Sequence, residues 1–279
     1  MYLCGAMSLK IRNITISVLA AAALAAAAAP SAHAQFIDAT QGLMLSPSAE
    51  MNPEGTFMIT NNFVNQEYLP SSGWDYNTFT YGFSITFWKR LEVAYTMTIF
   101  NDHWSPNPIT PTTRGLWMVN QDRHFAARFQ LLKEGELWSW TPSIVAGISD
   151  PVTGGANDYL DDNVGETGNG YFNRMYLAAT KHISTGWGRV GVTAAYLYTR
   201  RSDFLKSNRP TAGLTWEPVW LNRGDSFLTS FRLIAEYDTR NVNLGLTASV
   251  FRDHFEAMVC LEGCKYINAG LRYKLVLKQ

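Results

Sequence analysis

The chain has 279 residues with 23 basic and 23 acidic side chains, so no net charge steers it toward nucleic acid or another polyion. Hydrophobic residues make up 47% and aromatics 13%, yet the mean hydropathy is only -0.10. Alternation of apolar with polar neighbours reconciles these values. Past the N-terminal leader, no segment approaches the roughly 18 consecutive apolar residues of a membrane helix.

The leader comes first. Lys10 and Arg12 precede the alanine-rich run Ile14 to Ala29, then come Pro30 and Ala32-His33-Ala34. A basic start, a short apolar core and an A-x-A exit predict a cleaved secretory signal peptide over 1–34, with Gln35 as the mature N-terminus. Cys4 lies before the apolar core and cannot be the lipid-modified cysteine of a lipoprotein. Residues 35–56 form a separate segment, because Pro47 and Pro53 interrupt any strand ladder; we expect it in or across the periplasmic mouth of a barrel made by residues 57–279.

Residues 78–100 carry the clearest pattern. Phe79, Tyr81, Phe83, Ile85 and Phe87 alternate with Thr78, Thr80, Gly82, Ser84 and Thr86. After Trp88-Lys89-Arg90 the pattern resumes as Leu91, Val93, Tyr95, Met97 and Ile99 against Glu92, Ala94, Thr96 and Thr98. Period two puts the large apolar groups on one face of a strand and the small polar ones on the other. The connection is short enough only for a hairpin.

The same reading places strands at 57–67, 76–87, 91–100, 121–132, 137–149, 171–182, 188–199, 208–217, 227–237, 241–251, 254–260 and 265–278. Connections alternate long and short through the first half: 68–75 then 88–90, 101–120 then 133–136, 150–170 then 183–187. Trp88, Trp138, Trp140, Tyr95, Tyr196, Tyr198, Trp216 and Tyr237 fall near strand ends, where membrane-interface girdles sit. The fold class is therefore all-β: over 57–279, a single transmembrane antiparallel up-and-down barrel of about twelve strands. Its expected place is the Gram-negative outer membrane, with outer-membrane lipid as its first partner and no nucleic acid.

The polar parity of the strands carries charge. Glu92, Arg128, Glu217, Arg232, Glu236, Glu256, Arg272 and Lys274 are expected to form a lumen network. Such charges must be paired to be tolerated, so plugging the lumen and holding its shape is preferred over lining a narrow pore. Cys260 and Cys264 flank Leu261-Glu262-Gly263 and predict a disulfide across a hairpin tip. Asp150, Asp158, Asp161, Asp162 and Glu166 make one loop acidic, but the spacing does not match an EF-hand and a solvated loop is the preferred reading. Four histidines lie beyond the leader, His103, His124, His182 and His254, with no Gly-x-Ser-x-Gly elbow. We expect no enzyme, no metal and no cofactor.

Three stretches together resemble the YjbH-like family of exopolysaccharide-associated outer-membrane proteins. They are Gln41-Gly42-Leu43-Met44-Leu45-Ser46-Pro47-Ser48-Ala49-Glu50-Met51-Asn52-Pro53-Glu54-Gly55-Thr56, then Tyr176-Leu177-Ala178-Ala179-Thr180-Lys181, then Ile234-Ala235-Glu236-Tyr237-Asp238 with Asn241-Val242-Asn243-Leu244-Gly245-Leu246. The resemblance implies a role in making, exporting or retaining an exopolysaccharide or capsule, with polysaccharide and polysaccharide-export proteins as partners. A narrow porin or small-solute channel is the alternative, and a membrane-embedded hydrolase a more distant one. Many family members are lipoproteins and far longer; here the expected mature start is Gln35, not Cys, and the chain would be a single-barrel version.

Overall fold

A computed structural model describes residues 35–70, 74–103, 117–151, 171–199, 209–221 and 227–277. The expected leader, most of the acidic loop and the side chain of His103 lie outside the described residues.

Twelve strands run in chain order: β1 (Thr56–Val64), β2 (Thr78–Phe87), β3 (Leu91–His103), β4 (Trp117–Leu132), β5 (Ser143–Ser149), β6 (Arg174–Thr185), β7 (Gly188–Tyr198), β8 (Arg209–Pro218), β9 (Leu228–Tyr237), β10 (Val242–Val250), β11 (Phe255–Glu262) and β12 (Tyr266–Val276). Each pairs antiparallel with its sequence neighbour, and β1 pairs with β12 to close the barrel. Closure removes the unpaired edges that an open sheet would leave. An even strand count brings the start of β1 and the end of β12 to one end. There Leu277 N–H donates to the Gly55 carbonyl at 2.8 Å.

The parity read from the sequence sets the two faces. Thr78, Thr80, Ser84 and Thr86 on β2 are buried inside, as are Glu92, Ala94, Thr96 and Thr98 on β3. Phe79, Phe83 and Phe87 stand exposed on the outside. The β2–β3 hairpin turns on Trp88 and Lys89, both at positive φ (50° and 59°), matching the twist of the flanking strands. Exposed aromatics gather at the barrel end where β1 starts and β12 finishes: Trp88, Trp138, Trp140, Trp187, Trp220, Phe227 and Phe251.

One strand begins six residues later than its pattern suggests. Residues 137–142 form a turn, because Gly135 N–H donates to the Thr141 carbonyl, Thr141 N–H donates to the Trp138 carbonyl, and Trp138 N–H donates to Thr141 Oγ1, each at 2.9 Å. Leu137, Trp138 and Trp140 then all point outward instead of alternating.

The expected disulfide is absent: Cys260 and Cys264 are both free. Cys260 lies on the inward parity of β11 with Glu256, Met258 and Glu262, opposite Asn268 of β12. Cys264 sits at the exposed tip of the β11–β12 turn at φ 56°, and its Sγ lies 3.6 Å from the Val242 carbonyl oxygen. One thiol faces the lumen and the other faces out, so the hairpin register keeps them apart.

Candidate functional site

The core of this protein lies inside the barrel, and residues 35–50 are its centre. All sixteen are 9% exposed or less. The segment runs through the lumen and not merely at its mouth. It folds on itself through an isolated bridge between Gly42 and Pro47, with Phe36 N–H donating to the Met44 carbonyl at 3.1 Å. Phe36, Ile37, Leu43, Met44 and Leu45 pack against Val145, Tyr176, Leu197, Ile234 and Met258 of the wall. Two wall glycines give them room. A Cβ at Gly213 would lie 2.2 Å from Leu43 Cδ1, and one at Gly245 would lie 2.6 Å from Met44 Cε.

Charged side chains fix the segment at four places. Glu236 of β9 accepts the backbone N–H groups of Met44, Leu45 and Ser46 at 3.2, 2.8 and 3.3 Å. Three amides converging on one carboxylate replace the water it lost on burial. Arg128 of β4 donates to the carbonyls of Gln41, Ser48 and Glu50, the Ser48 contact at 2.8 Å. Its Nε is also 3.5 Å from Glu92 of β3, which accepts from Gln41 N–H at 3.2 Å and Asn52 Nδ2 at 3.3 Å.

The other two places are acids of the segment itself. Asp38 accepts from Arg174 Nε at 3.1 Å and Ser149 Oγ at 2.5 Å, and His124 Nε2 lies 3.4 Å away. Glu50 accepts from Arg232 at 2.9 Å and lies 3.0 Å from His182 Nε2. His182 Nδ1 is 2.7 Å from Glu134 in the β4–β5 turn, whose carboxylate also meets Lys181 at 3.2 Å. That chain of contacts links the lumen to the aromatic-rich end of the barrel. Burial pushes the Glu134 carboxyl upward, but hydrogen bonds from the His182 ring and backbone and from Lys181 outweigh it and hold the group below the usual glutamate range.

The opposite mouth is roofed by Tyr68, Leu69, Trp74, Tyr171 and Phe172, all in the same apolar cluster as the segment. Trp74 packs edge-on against Tyr171 at 4.9 Å and donates from Nε1 to the Ile99 carbonyl at 2.9 Å. The Tyr68 hydroxyl donates to the Leu45 carbonyl at 3.0 Å, and Arg240 lies over the Tyr68 ring at 5.0 Å.

The sequence places this segment in a known family. The family model YjbH, described as exopolysaccharide biosynthesis protein YbjH, matches residues 39–277. The chain belongs to the YjbH exopolysaccharide biosynthesis family. The YjbH match begins inside the lumen segment and runs on through the wall. A mutant Rh. blastica porin of known structure aligns over 81% of this chain and 75% of that chain, at 11% identity and a TM-score of 0.30. The barrel topology rests on the strand pairing and not on that likeness. No curated protein matches the chain.

In this YjbH-family barrel the eight charges singled out by strand parity divide into local groups. Glu92 and Arg128 are adjacent, Arg232 Nε donates to Glu217 at 2.7 Å, and Glu256 accepts from Arg272 and, at 2.9 Å, from Lys274. Glu236 meets the lumen segment and, at 3.4 Å, Asn243. Asp38, Glu50, His124, Arg174 and His182 were not foreseen as partners. Arg174, Tyr176, Ala178 and Thr180 share an inward parity that a reader of β6 could extract. Asp38 and Glu50 lie in a stretch with no period, which gave no such signal.

No Ser-His-Asp order is built among the described residues. Asp38 stands between Ser149 and His124, so no imidazole rests on the hydroxyl to take its proton. His254 Nδ1 is engaged by the Lys274 carbonyl at 2.7 Å.

Proposed function

We propose that the chain is a plugged, non-catalytic barrel of the Gram-negative outer membrane that serves exopolysaccharide export or surface retention. The observation that carries the closed-barrel reading is residues 35–50, buried inside the barrel. An open porin needs a wet lumen, and here the lumen is filled by chain. The apolar outer face and the aromatic ring where β1 starts and β12 finishes suit a bilayer, with that end toward the periplasm. Family membership supports the exopolysaccharide role.

Two measurements test the reading. In planar bilayers the full mature chain is expected to be silent, and a chain lacking residues 35–52 to conduct. Steady conductance of the intact chain would overturn the closed barrel in favour of a porin. Deleting the gene is expected to lower the amount or attachment of surface polysaccharide. Unchanged polysaccharide would remove that role, and hydrolysis of lipid or peptide lost on replacing His124 or His182 would make the protein an enzyme.

A further inference from the structure

Gln35 is 1% exposed, well inside the barrel, and it is the residue that the A-x-A site makes the mature N-terminus. Cleavage there would leave an α-ammonium in the lumen. Its surroundings suit a charge poorly. Arg174 donates from its guanidinium to Gln35 Oε1, so a second cation would stand beside the first. The neighbouring carboxylate, Asp38, is already occupied by Arg174 at 3.1 Å and Ser149 at 2.5 Å. Burial favours the neutral amine, which is the nucleophilic form.

We infer that Gln35 is a modification site, closed in the lumen to an N-terminal pyroglutamate. The α-nitrogen attacks Cδ of its own side chain. The N–Cδ bond forms, the Cδ–Nε2 bond breaks, and one amine proton leaves with Nε2 as ammonia. No oxidant or co-reactant is needed. Arg174 touches the reacting oxygen: its Nη2 donates to Oε1, where negative charge collects in the tetrahedral intermediate.

The product keeps the oxygen that Arg174 meets and gives up an atom that makes no contact. Nε2, the departing atom, is buried and has no hydrogen-bond partner among the described residues. Gly42 fits this arrangement. A Cβ there would lie 2.8 Å from Gln35 Cδ, so glycine lets the chain close over the side chain. Losing the charge also removes the cost of burying it, which locks the segment in place.

The inference rests on export and cleavage of the leader, and one experiment separates the two. The full chain is purified from outer membranes of its own host and its N-terminal peptide is measured by mass spectrometry. The expected peptide begins at residue 35, weighs about 17 Da less than its free-glutamine form, and resists Edman degradation until treated with pyroglutamyl peptidase. A peptide beginning at residue 35 with a free amine overturns the modification and leaves the cleavage reading intact. A peptide beginning elsewhere overturns both. In newly exported chain, Arg174→Met is expected to lower the closed fraction at least about fivefold, as loss of an oxyanion donor does. Undiminished closure in that variant overturns the part given to the lumen.

Discussion

On β2, Phe79, Phe83 and Phe87 face out while Thr78, Thr80, Ser84 and Thr86 face in; on β9, Leu233 faces out while Arg232 and Glu236 grip the N-terminal segment. The outer contacts ask only for apolar surface, and many residue types serve. The inner ones join residues far apart in the chain, as between Glu236 and Leu45 or Asp38 and Arg174, and each has one partner set. Substitutions of equal chemistry should therefore cost more inside than outside.

The largest effect is expected at Arg128. Methionine there would leave Glu92 without its cation and the carbonyls of Gln41, Ser48 and Glu50 without their donor in a buried site. We expect a loss of about 3–5 kcal/mol, read as a lower heat-modifiability temperature in detergent, with earlier protease cleavage within residues 35–55. Wild-type behaviour of Arg128→Met would mean that apolar packing alone holds the segment. Leu271, midway along β12 and 66% exposed, is the matching outer probe. Leu271→Arg should cost about 2–4 kcal/mol in lipid, and Leu271→Ala much less. If arginine there is silent in vesicle-folded protein, the outer face is not the lipid face.

Glu236→Gln comes next. The amide has one acceptor oxygen, so it keeps either the Leu45 N–H or the Met44 and Ser46 N–H groups and turns an NH2 donor toward the rest; about 1–3 kcal/mol is expected, with the segment in place. Unfolding in urea with and without residues 35–52 would show whether that loss belongs to the segment. If Glu236→Gln destabilises the shortened chain equally, the carboxylate serves the wall.

The wall was legible because a period of two declares itself within a few residues. Glu92, Arg128 and Arg232 could be placed in the lumen from parity alone. The lumen segment could not be placed, since Phe36, Ile37, Leu43, Met44 and Leu45 have no period and their partners lie on strands far along the chain. The resemblance at Gln41 to Thr56 marked the stretch as part of the family pattern without saying where it goes. The residues 137–142 misled for a local reason: Trp138 and Trp140 alternating with Ser139 and Thr141 mimic a strand, and the hydrogen bonds of Thr141 bend them into a turn. For Cys260 and Cys264, closeness in sequence hid that one sits on a lumen-facing position and the other at a turn tip.

The smallest effect is expected where lumen and solvent meet. Glu134 lies in the β4–β5 turn, part exposed, holding His182 at 2.7 Å and Lys181 at 3.2 Å. Its carboxyl titrates below the usual glutamate range, because bonds from His182 and Lys181 outweigh its partial burial. A group with a depressed folded value contributes stability that is complete above the unfolded value and is lost as pH falls through the folded one. Glu134→Gln should therefore cost at most about 1 kcal/mol near neutral pH, after screening by water, and progressively less as pH falls through the folded value. Urea midpoints of the two proteins would converge on acidification. A gap that persists or widens in acid would show that Glu134 acts through its shape and not its charge. The link from Arg232 through Glu50 and His182 would then stop at the imidazole.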